Sequence, residues 1–303
     1  MLFSIVIPTY NRLALLPRTL DSVWAQRFTD FEVIVVDNGS TDGTDAWLET
    51  LGARVQRLRQ DNLGPGPARN AGAARARGDY LAFLDSDDLW FPWTLECFAD
   101  LIRQHERPAV LGAKLMSFTD EAELAAVREG PLVAEVFADY FASSRSGYFV
   151  GAGMSVLRRE EFLRTGGYTD RPINSEDHDL ILRMGTAPGF VQVTSPVTLG
   201  WRRHAGSATM DPARSAAGNL YLVEQERCGT YPGGAARRWE RRNIVTRHVR
   251  PASLACVRGG AVADAWRLYQ KTFCWHAQLG RLKYLAVFPV MAALAAARGS
   301  RTN

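Results

Sequence analysis

Up to residue 90 the chain runs in blocks, with short apolar stretches followed by longer ones that carry apolar residues at helical spacing. Residues 3–7 (FSIVI) and 31–36 (FEVIVV) are short β-branched runs that suit strands buried on both faces of a parallel sheet. Between them LALLPRTLDSVWAQ repeats its apolar residues with the period of a helix, so the segment reads strand–helix–strand. A third strand is expected over Arg54–Leu58. A helix is expected over Pro67–Arg77, closed by Gly78 as its C′ residue, and a further strand over Tyr80–Leu84. Alternating units of this kind predict a doubly wound, mostly parallel α/β sheet.

Beyond residue 90 the pattern loosens. It predicts a helix over Trp93–Gln104, a strand over Ala109–Met116 and a polar, helical excursion over Asp120–Ala142. GAGMSVLRREEFLRTGGY (151–168) reads as a strand turning into a short helix. From about Pro212 onward the sequence is helical without a clear strand. The expected organisation is therefore an α/β domain over 1–210 and a helical region over 211–303. No internal repeat is visible, and the alanine-rich MAALAAARG is the single low-complexity tract.

Length and composition change this picture little. A chain of 303 residues that is 47% hydrophobic and 22% charged is an ordinary globular protein. A net charge of +4 points to anionic partners such as phosphates or lipid headgroups, and is too small for a nucleic-acid footprint. Cys97, Cys228, Cys256 and Cys274 form no CxxC pair and are expected as reduced thiols packed like small apolar side chains. The chain enters its first strand straight from Met1, without a basic n-region or a cleavage site. No signal peptide is predicted, and these features together favour the cytoplasm.

Candidate chemistry collects where strands end. In open α/β sheets, ligands bind outside the carboxyl ends of the strands. The first predicted strand ends in Pro8-Thr9-Tyr10-Asn11-Arg12, the second in Asp37-Asn38-Gly39-Ser40-Thr41-Asp42, and that at 80–84 in Asp85-Ser86-Asp87-Asp88. One such tip is ordinary loop polarity; acids, amides and hydroxyls on three tips of one rim point to a site. Acids spaced D-x-D at a strand tip suit Mg²⁺ or Mn²⁺, which keep some waters and complete their shell from substrate phosphates. An acidic first turn for the next helix would need a single carboxylate. The glycines of 62–72 do not follow the first strand and lack the G-x-G-x-x-G spacing, so a dinucleotide site is not indicated, while Arg69 and Asn70 could face a phosphate or a base. Ser175-Glu176-Asp177-His178-Asp179 opens a helix with Ser175 as a credible N-cap, and a carboxylate there is well placed to act as a general base. His204, in a Gly/Ser loop, is by itself an ordinary surface residue.

Taken as a set, SIVIPTYNR (4–12), FEVIVVDNGSTDGT (31–44), N-x-G…ARNAG (62–72), GDYLAFLDSDDLW (78–90), GAGMSVLRREEFLRTGGY (151–168), EDHDLILR (176–183) and WRRHAGS (201–207) resemble the family 2 glycosyltransferases in order and spacing over about residues 3–210. The resemblance implies a GT-A fold, Rossmann-like, and an inverting enzyme that moves a sugar from a nucleotide-diphosphate donor to a hydroxyl acceptor. By position, Pro8, Tyr10, Asn11 and Arg12 would line the nucleotide pocket, and Asp37 would accept the N3–H of a uracil, favouring a UDP-sugar. The second acid usual in that motif is here Asn38, which could also read a base edge. Arg69, Asp85 and Ser86 would contact the donor; Asp87, with Asp85 and His204, would hold Mn²⁺ or Mg²⁺; Asp177 would be the general base and Glu176 would orient the acceptor.

The resemblance stops short of the last ninety or so residues. RRWERRNIVTRHVR (237–250) reads equally as a solvated basic face or as a contact for an anionic membrane or a lipid-diphosphate acceptor. The apolar run 284–297, flanked by Arg281, Lys283, Arg298 and Arg301, is too short to span a membrane and suits an interfacial helix as well as one packed on the body. A glycan or lipid-linked acceptor in cell-envelope polysaccharide, lipopolysaccharide or other glycoconjugate assembly, with peripheral attachment to the inner membrane face, is the matching expectation. Two alternatives stand beside it: a non-catalytic nucleotide-sugar or glycan-binding relative, and a sugar nucleotidyltransferase. The latter wants a glycine-rich loop after the first strand, where this chain has PTYNRLALLP.

Overall fold

A computed structural model describes residues 1–204 and 211–299. The boundary expected near residue 210, the tail of the 201–207 motif and Arg301 lie outside the described residues. In chain order the elements are β1 (Phe3–Thr9), α1 (Leu16–Trp24), β2 (Phe31–Asp37), α2 (Thr44–Thr50), β3 (Gln56–Arg59), α3 (Pro65–Arg75), β4 (Tyr80–Phe83), β5 (Leu89–Trp90), α4 (Thr94–Gln104), β6 (Val110–Gly112), β7 (Leu115–Phe118), β8 (Val133–Phe137), β9 (Ser155–Arg158), α5 (Arg159–Thr165), α6 (Glu176–Arg183), β10 (Phe190–Ser195), β11 (Leu199–Arg202), α7 (Pro212–Cys228), α8 (Arg238–Arg258), α9 (Val262–Gln278) and α10 (Leu282–Gly299).

These fall into two compact units. The first comprises Met1–Tyr140, Tyr148–Pro172 and Ala187–His204. The second comprises Phe141–Gly147, Ile173–Thr186 and the described residues beyond 204. The units interleave along the chain, where the sequence had suggested a single cut. Side chains of the 141–147 and 173–186 segments are tied to the C-terminal helices: Tyr231 donates to Asp179 at 3.1 Å, and Asn243 donates to the Ser144 carbonyl at 2.8 Å.

The first unit is an eight-stranded sheet of order β3-β2-β1-β4-β9-β6-β10-β8, with a three-stranded sheet β5-β11-β7. β1 is buried along its whole length and runs parallel to both β2 and β4, which explains its unbroken apolar sequence. Phe3, Ile5 and Ile7 are fully buried in the main core with Leu16, Leu20 and Val23 of α1; each such side chain contributes roughly 1.5–3 kcal/mol relative to exposure. Register sets the working edge. Thr9 pairs with Asp37 and Val6 with Phe83, so the tips of β1, β2 and β4 end side by side.

Several expectations change on inspection. Gly78 does not close α3, whose C-cap is Ala76 in an extended conformation. Its glycine is required by close approach, because a Cβ there would lie 2.6 Å from the Phe3 carbonyl carbon and the Ser4 nitrogen. The strand expected over 109–116 is two strands: β6 joins the large sheet and β7 the small one. The polar excursion 120–142 contains β8, an edge strand antiparallel to β10 whose half-exposed side chains hide its strand character. Ser175 has a left-handed backbone (φ 93°) and makes no capping hydrogen bond. Cys97 and Cys256 are buried, whereas Cys228 and Cys274 are exposed.

The second unit is helical. The basic run 237–250 begins at the N-cap of α8 and is divided between packing and solvent: Trp239 is exposed, Ile244, Val245, His248 and Val249 are buried, and buried Arg241 pairs with buried Glu226 at 2.6 Å. On α10, Phe288 and Ala292 are buried while Leu282, Val287, Val290 and Leu294 are exposed. Among the described residues no helix is long and apolar enough to cross a membrane.

Candidate functional site

The tips of β1 and β2 are fastened to each other by their own polar residues. Asn11 adopts φ 50°, donates its backbone N–H to Ser40 Oγ at 2.8 Å, and accepts from the Thr41 N–H on its side-chain oxygen at 2.8 Å. The Arg12 N–H donates to Thr44 Oγ1 at 3.2 Å, and the Asn38 N–H to the Thr9 carbonyl at 2.8 Å. Pro8 is the penultimate residue of β1, and Tyr10, just beyond its end, is 44% exposed. A half-exposed aromatic ring on a rigid loop is a surface on which a base can stack.

Asp37 is fully buried at the end of β2, where its carboxylate accepts from the Ser40 N–H at 3.2 Å, with Arg59 Nε 3.9 Å away. Asn38 is also buried. Its side-chain oxygen accepts from Gln60 Nε2 at 2.9 Å and the Leu63 N–H at 3.2 Å, while its Nδ2 donates to Asn62 Oδ1 at 2.9 Å. The amide thereby ties β2 to the 60–63 loop and is largely committed to that role.

The acids after β4 lie close together, and each is met by a donor from elsewhere in the chain. Asp85 accepts from Arg69 at 2.7 Å, and Arg69 itself is nearly buried on α3 with its guanidinium 5.3 Å from the Tyr168 ring. Asp87 Oδ2 lies 2.9 Å from His204 Nε2 and 3.4 Å from Arg12 Nε. Asp88 accepts from the Arg202 N–H at 2.8 Å, while Arg202 Nε donates to the Asp87 carbonyl at 2.8 Å. Burial, then the nearby Asp85, raises the Asp88 carboxyl well above the ordinary range, against the Arg202 hydrogen bond. Ser86 is buried within this turn. Gly153 lies against it: a Cβ there would sit 2.8 Å from an Asp85 oxygen, so a larger residue would displace that carboxylate.

A single pairing brings His204 here. β11 runs antiparallel to β5, with Leu199 opposite Trp90 and Gly200 opposite Leu89, which carries residues 202–204 back along the acidic turn. Arg202 was not foreseen as part of this cluster. The signal was present as two arginines ahead of His204, but their direction depends on the strand pairing. Asn70 belongs to the scaffold, since its side chain exchanges two 2.8 Å hydrogen bonds with the Tyr168 backbone.

Two of the three expected metal-binding side chains, Asp87 and His204, converge, while Asp85 is turned to Arg69. One carboxylate and one imidazole fit a divalent cation that completes its shell with water and phosphate oxygens. Among the described residues no three His, Cys, Asp or Glu side chains are arranged to hold a metal by themselves.

In the second unit the acids at the start of α6 divide their roles. Asp179 is buried, pairing with Arg183 at 2.8 Å and accepting from the Tyr231 hydroxyl. Asp177 is partly exposed (22%) and accepts from the His178 N–H at 2.7 Å. The His178 ring lies 3.9 Å from that of His248, which is buried and held neutral because burial pushes its pKa well below 6.5. Glu176 occupies the same first turn.

Comparison with known proteins places these motifs. The model of glycosyl transferase family 2 matches residues 4–163. The chain is 30% identical over 168 residues to an uncharacterized glycosyltransferase of Nostoc sp., covering 54% of this chain and 52% of that protein. It is 37% identical over 117 residues to the poly(ribitol-phosphate) β-N-acetylglucosaminyltransferase TarS of Staphylococcus aureus, covering 37% of this chain and 20% of TarS. The chain therefore spans about half the length of the first relative and a fifth of the second. The structure of TarS residues 1–349 in complex with UDP-GlcNAc aligns with a TM-score of 0.58 at 18% identity, covering 92% of each chain. The mannosyltransferase PcManGT of Pyrobaculum calidifontis, in complex with GDP-Man and Mn²⁺, aligns with a TM-score of 0.57 at 19% identity, covering 97% of this chain and 84% of that one. The fold is the GT-A fold expected from the sequence.

Proposed function

The chain belongs to glycosyl transferase family 2, and from that premise we propose that it transfers a sugar from a nucleotide-diphosphate donor to a hydroxyl acceptor with inversion at the anomeric carbon. The observation that carries this reading is the turn after β4, where Asp87 is flanked by His204 and Arg12, and Asp85 by Arg69. Such a turn suits the diphosphate of the donor, the group on which negative charge grows as it leaves.

Asp87, with His204 and Asp85 beside it, would hold a Mn²⁺ or Mg²⁺ ion, which when bound supplies positive charge to the departing diphosphate. Arg12 and Arg69 add fixed charge at the same tip. Tyr10 offers its ring to the base and Asp37 marks the base end of the pocket; a uracil reaching Asp37 requires the half-exposed Arg59 to move aside. Asp177 takes the proton of the acceptor hydroxyl while the new glycosidic bond forms and the bond to the diphosphate breaks. Glu176 orients the acceptor. The leaving group is already good, so a single displacement suffices and no covalent intermediate is formed.

TarS bound to UDP-GlcNAc supports a UDP-sugar donor, and its name, a poly(ribitol-phosphate) β-N-acetylglucosaminyltransferase, supports a glycoconjugate as the product class. The mannosyltransferase complex supports Mn²⁺. The exposed Leu282, Val287, Val290 and Leu294 of α10 support peripheral contact with an anionic membrane carrying a lipid-linked acceptor. Thermal shift with UDP, GDP, CDP and ADP, each with and without Mn²⁺, tests the donor site. One diphosphate should raise Tm, and more so with Mn²⁺; a set of curves unmoved by every nucleotide would remove the reading.

A further inference from the structure

The helical unit holds a concentration of positive charge that the transfer reaction does not use. On α8, Asn243, Thr246, Arg247 and Arg250 recur at i, i+3, i+4 and i+7 and share one face. Arg281, just ahead of α10, reaches this face. Its guanidinium donates to the Asn243 carbonyl at 3.0 Å, to the Asn243 side-chain oxygen and to Thr246 Oγ1. Arg247 donates to the Ser144 carbonyl. Every one of these acceptors is neutral. Among the described residues no carboxylate pairs with Arg250 or Arg281, and the buried Arg250 Nε meets no hydrogen-bond acceptor.

Two further features bear on the charges of Arg250 and Arg281. Burial, then the like charges of Arg250 and Arg247, lowers the Arg281 pKa to about 10, with no carboxylate acting in the other direction. His276, at the end of α9, is fully buried beside Tyr284, with ring centroids 4.5 Å apart, and neither ring nitrogen has a partner. Burial and the charges of Arg281 and Arg250 push it down to about 3, so it stays neutral and adds no charge of its own. Elsewhere on the same helix the rule is different: buried Arg241 is matched by Glu226 at 2.6 Å. Like charges gathered in partly buried positions are unfavourable unless an anion joins them. Guanidinium forks match phosphate oxygens in geometry as well as charge.

We propose that Arg247, Arg250 and Arg281 form a binding site for a phosphate or diphosphate group, separate from the donor site assigned to the first unit. The ligand would be a phosphate-bearing molecule: a phosphorylated acceptor offers this chemistry, and so does an anionic lipid headgroup. The site does not depend on the reading of the transfer reaction and would survive its failure.

Hydrogen exchange of the full chain in EDTA, at matched ionic strength, tests the site with inorganic pyrophosphate and with vesicles of phosphatidylglycerol or phosphatidylcholine. Segments 243–253 and 276–284 should be protected by pyrophosphate, by phosphatidylglycerol vesicles, or by both, and not by phosphatidylcholine. Protection by pyrophosphate identifies a free phosphate group as sufficient; protection by phosphatidylglycerol alone identifies a lipid source. Arg250→Gln, which removes no hydrogen bond seen among the described residues, should fold with an unchanged or higher Tm. It should weaken the protecting ligand about tenfold, the loss of one charge-assisted hydrogen bond. Arg247→Gln should weaken it similarly. Exchange unchanged by every anion, or protection equal in wild type and Arg250→Gln, would overturn the proposal.

Discussion

In the turn after β4, each of the acids Asp85, Asp87 and Asp88 is met by a partner from a distant part of the chain: the Arg69 guanidinium, then the His204 ring and Arg12, then the Arg202 backbone N–H. In the helical unit the arginines are treated unevenly. Arg241 receives a buried carboxylate, while Arg250 and Arg281 receive none among the described residues. The difference teaches where a ligand is needed. At the β4 turn Asp85 and Asp87 already face the protein's own basic side chains, which on the proposed reading would exchange them for the donor diphosphate and its metal. Around Arg250 and Arg281 the proposed phosphate group would supply the balancing charge.

The comparison can be broken at its strongest point first. Asp87→Asn should abolish the Mn²⁺-dependent part of the nucleotide thermal shift. It should lower sugar transfer about 10²–10³-fold, the scale of losing one preorganised electrostatic contact. Transfer assays at saturating donor check this, and an unchanged metal dependence would detach Asp87 from the donor. Next in size, Glu226→Ala leaves Arg241 buried without its partner and should cost about 3–5 kcal/mol in urea unfolding. A loss no larger than that of an ordinary surface substitution would show that the matched pair is not matched after all.

The smallest effect concerns pH. His276 titrates near 6.5 when unfolded and at about 3 when folded, so the unfolded chain binds the extra proton first. Stability contributed by the neutral ring is therefore present above pH 6.5 and lost as pH falls toward 3. His276→Phe should make the decline of unfolding free energy with falling pH shallower, by up to about 1.4 kcal/mol per pH unit. Parallel curves for the two proteins would contradict it.

Much of the candidate site was legible because its signals are local. β1, β2 and β4 announce themselves as apolar runs, and the polar residues at their tips follow directly in sequence. What stayed hidden depends on pairing between distant segments. Residues 199–200 had to find 89–90 before His204 and Arg202 could reach the acidic turn. β8 escaped because an exposed edge strand carries polar and charged residues like a loop. Gly78 resembled a helix terminator, yet its reason is the β1 backbone 2.6 Å from its missing Cβ. Asn38 looked available for a base, whereas the 60–63 loop occupies most of its amide. The arginines of 237–250 read as one basic face, and only packing separates Arg241, buried against Glu226, from Arg250, which has no carboxylate partner among the described residues.

The acids of α6 offer the most direct trial of the transfer mechanism, because they supply their own control. Asp179 is buried and bonded to Arg183 and Tyr231, and Asp177 is partly exposed. The decisive measurement is sugar transfer and donor binding by Asp177→Asn, set beside Asp179→Asn. The account predicts that Asp177→Asn binds nucleotide sugar as wild type does while transfer falls about 10²–10⁴-fold, the contribution of a general base. Asp179→Asn should lose stability and keep its turnover per folded molecule. Near-normal transfer by Asp177→Asn would contradict the account.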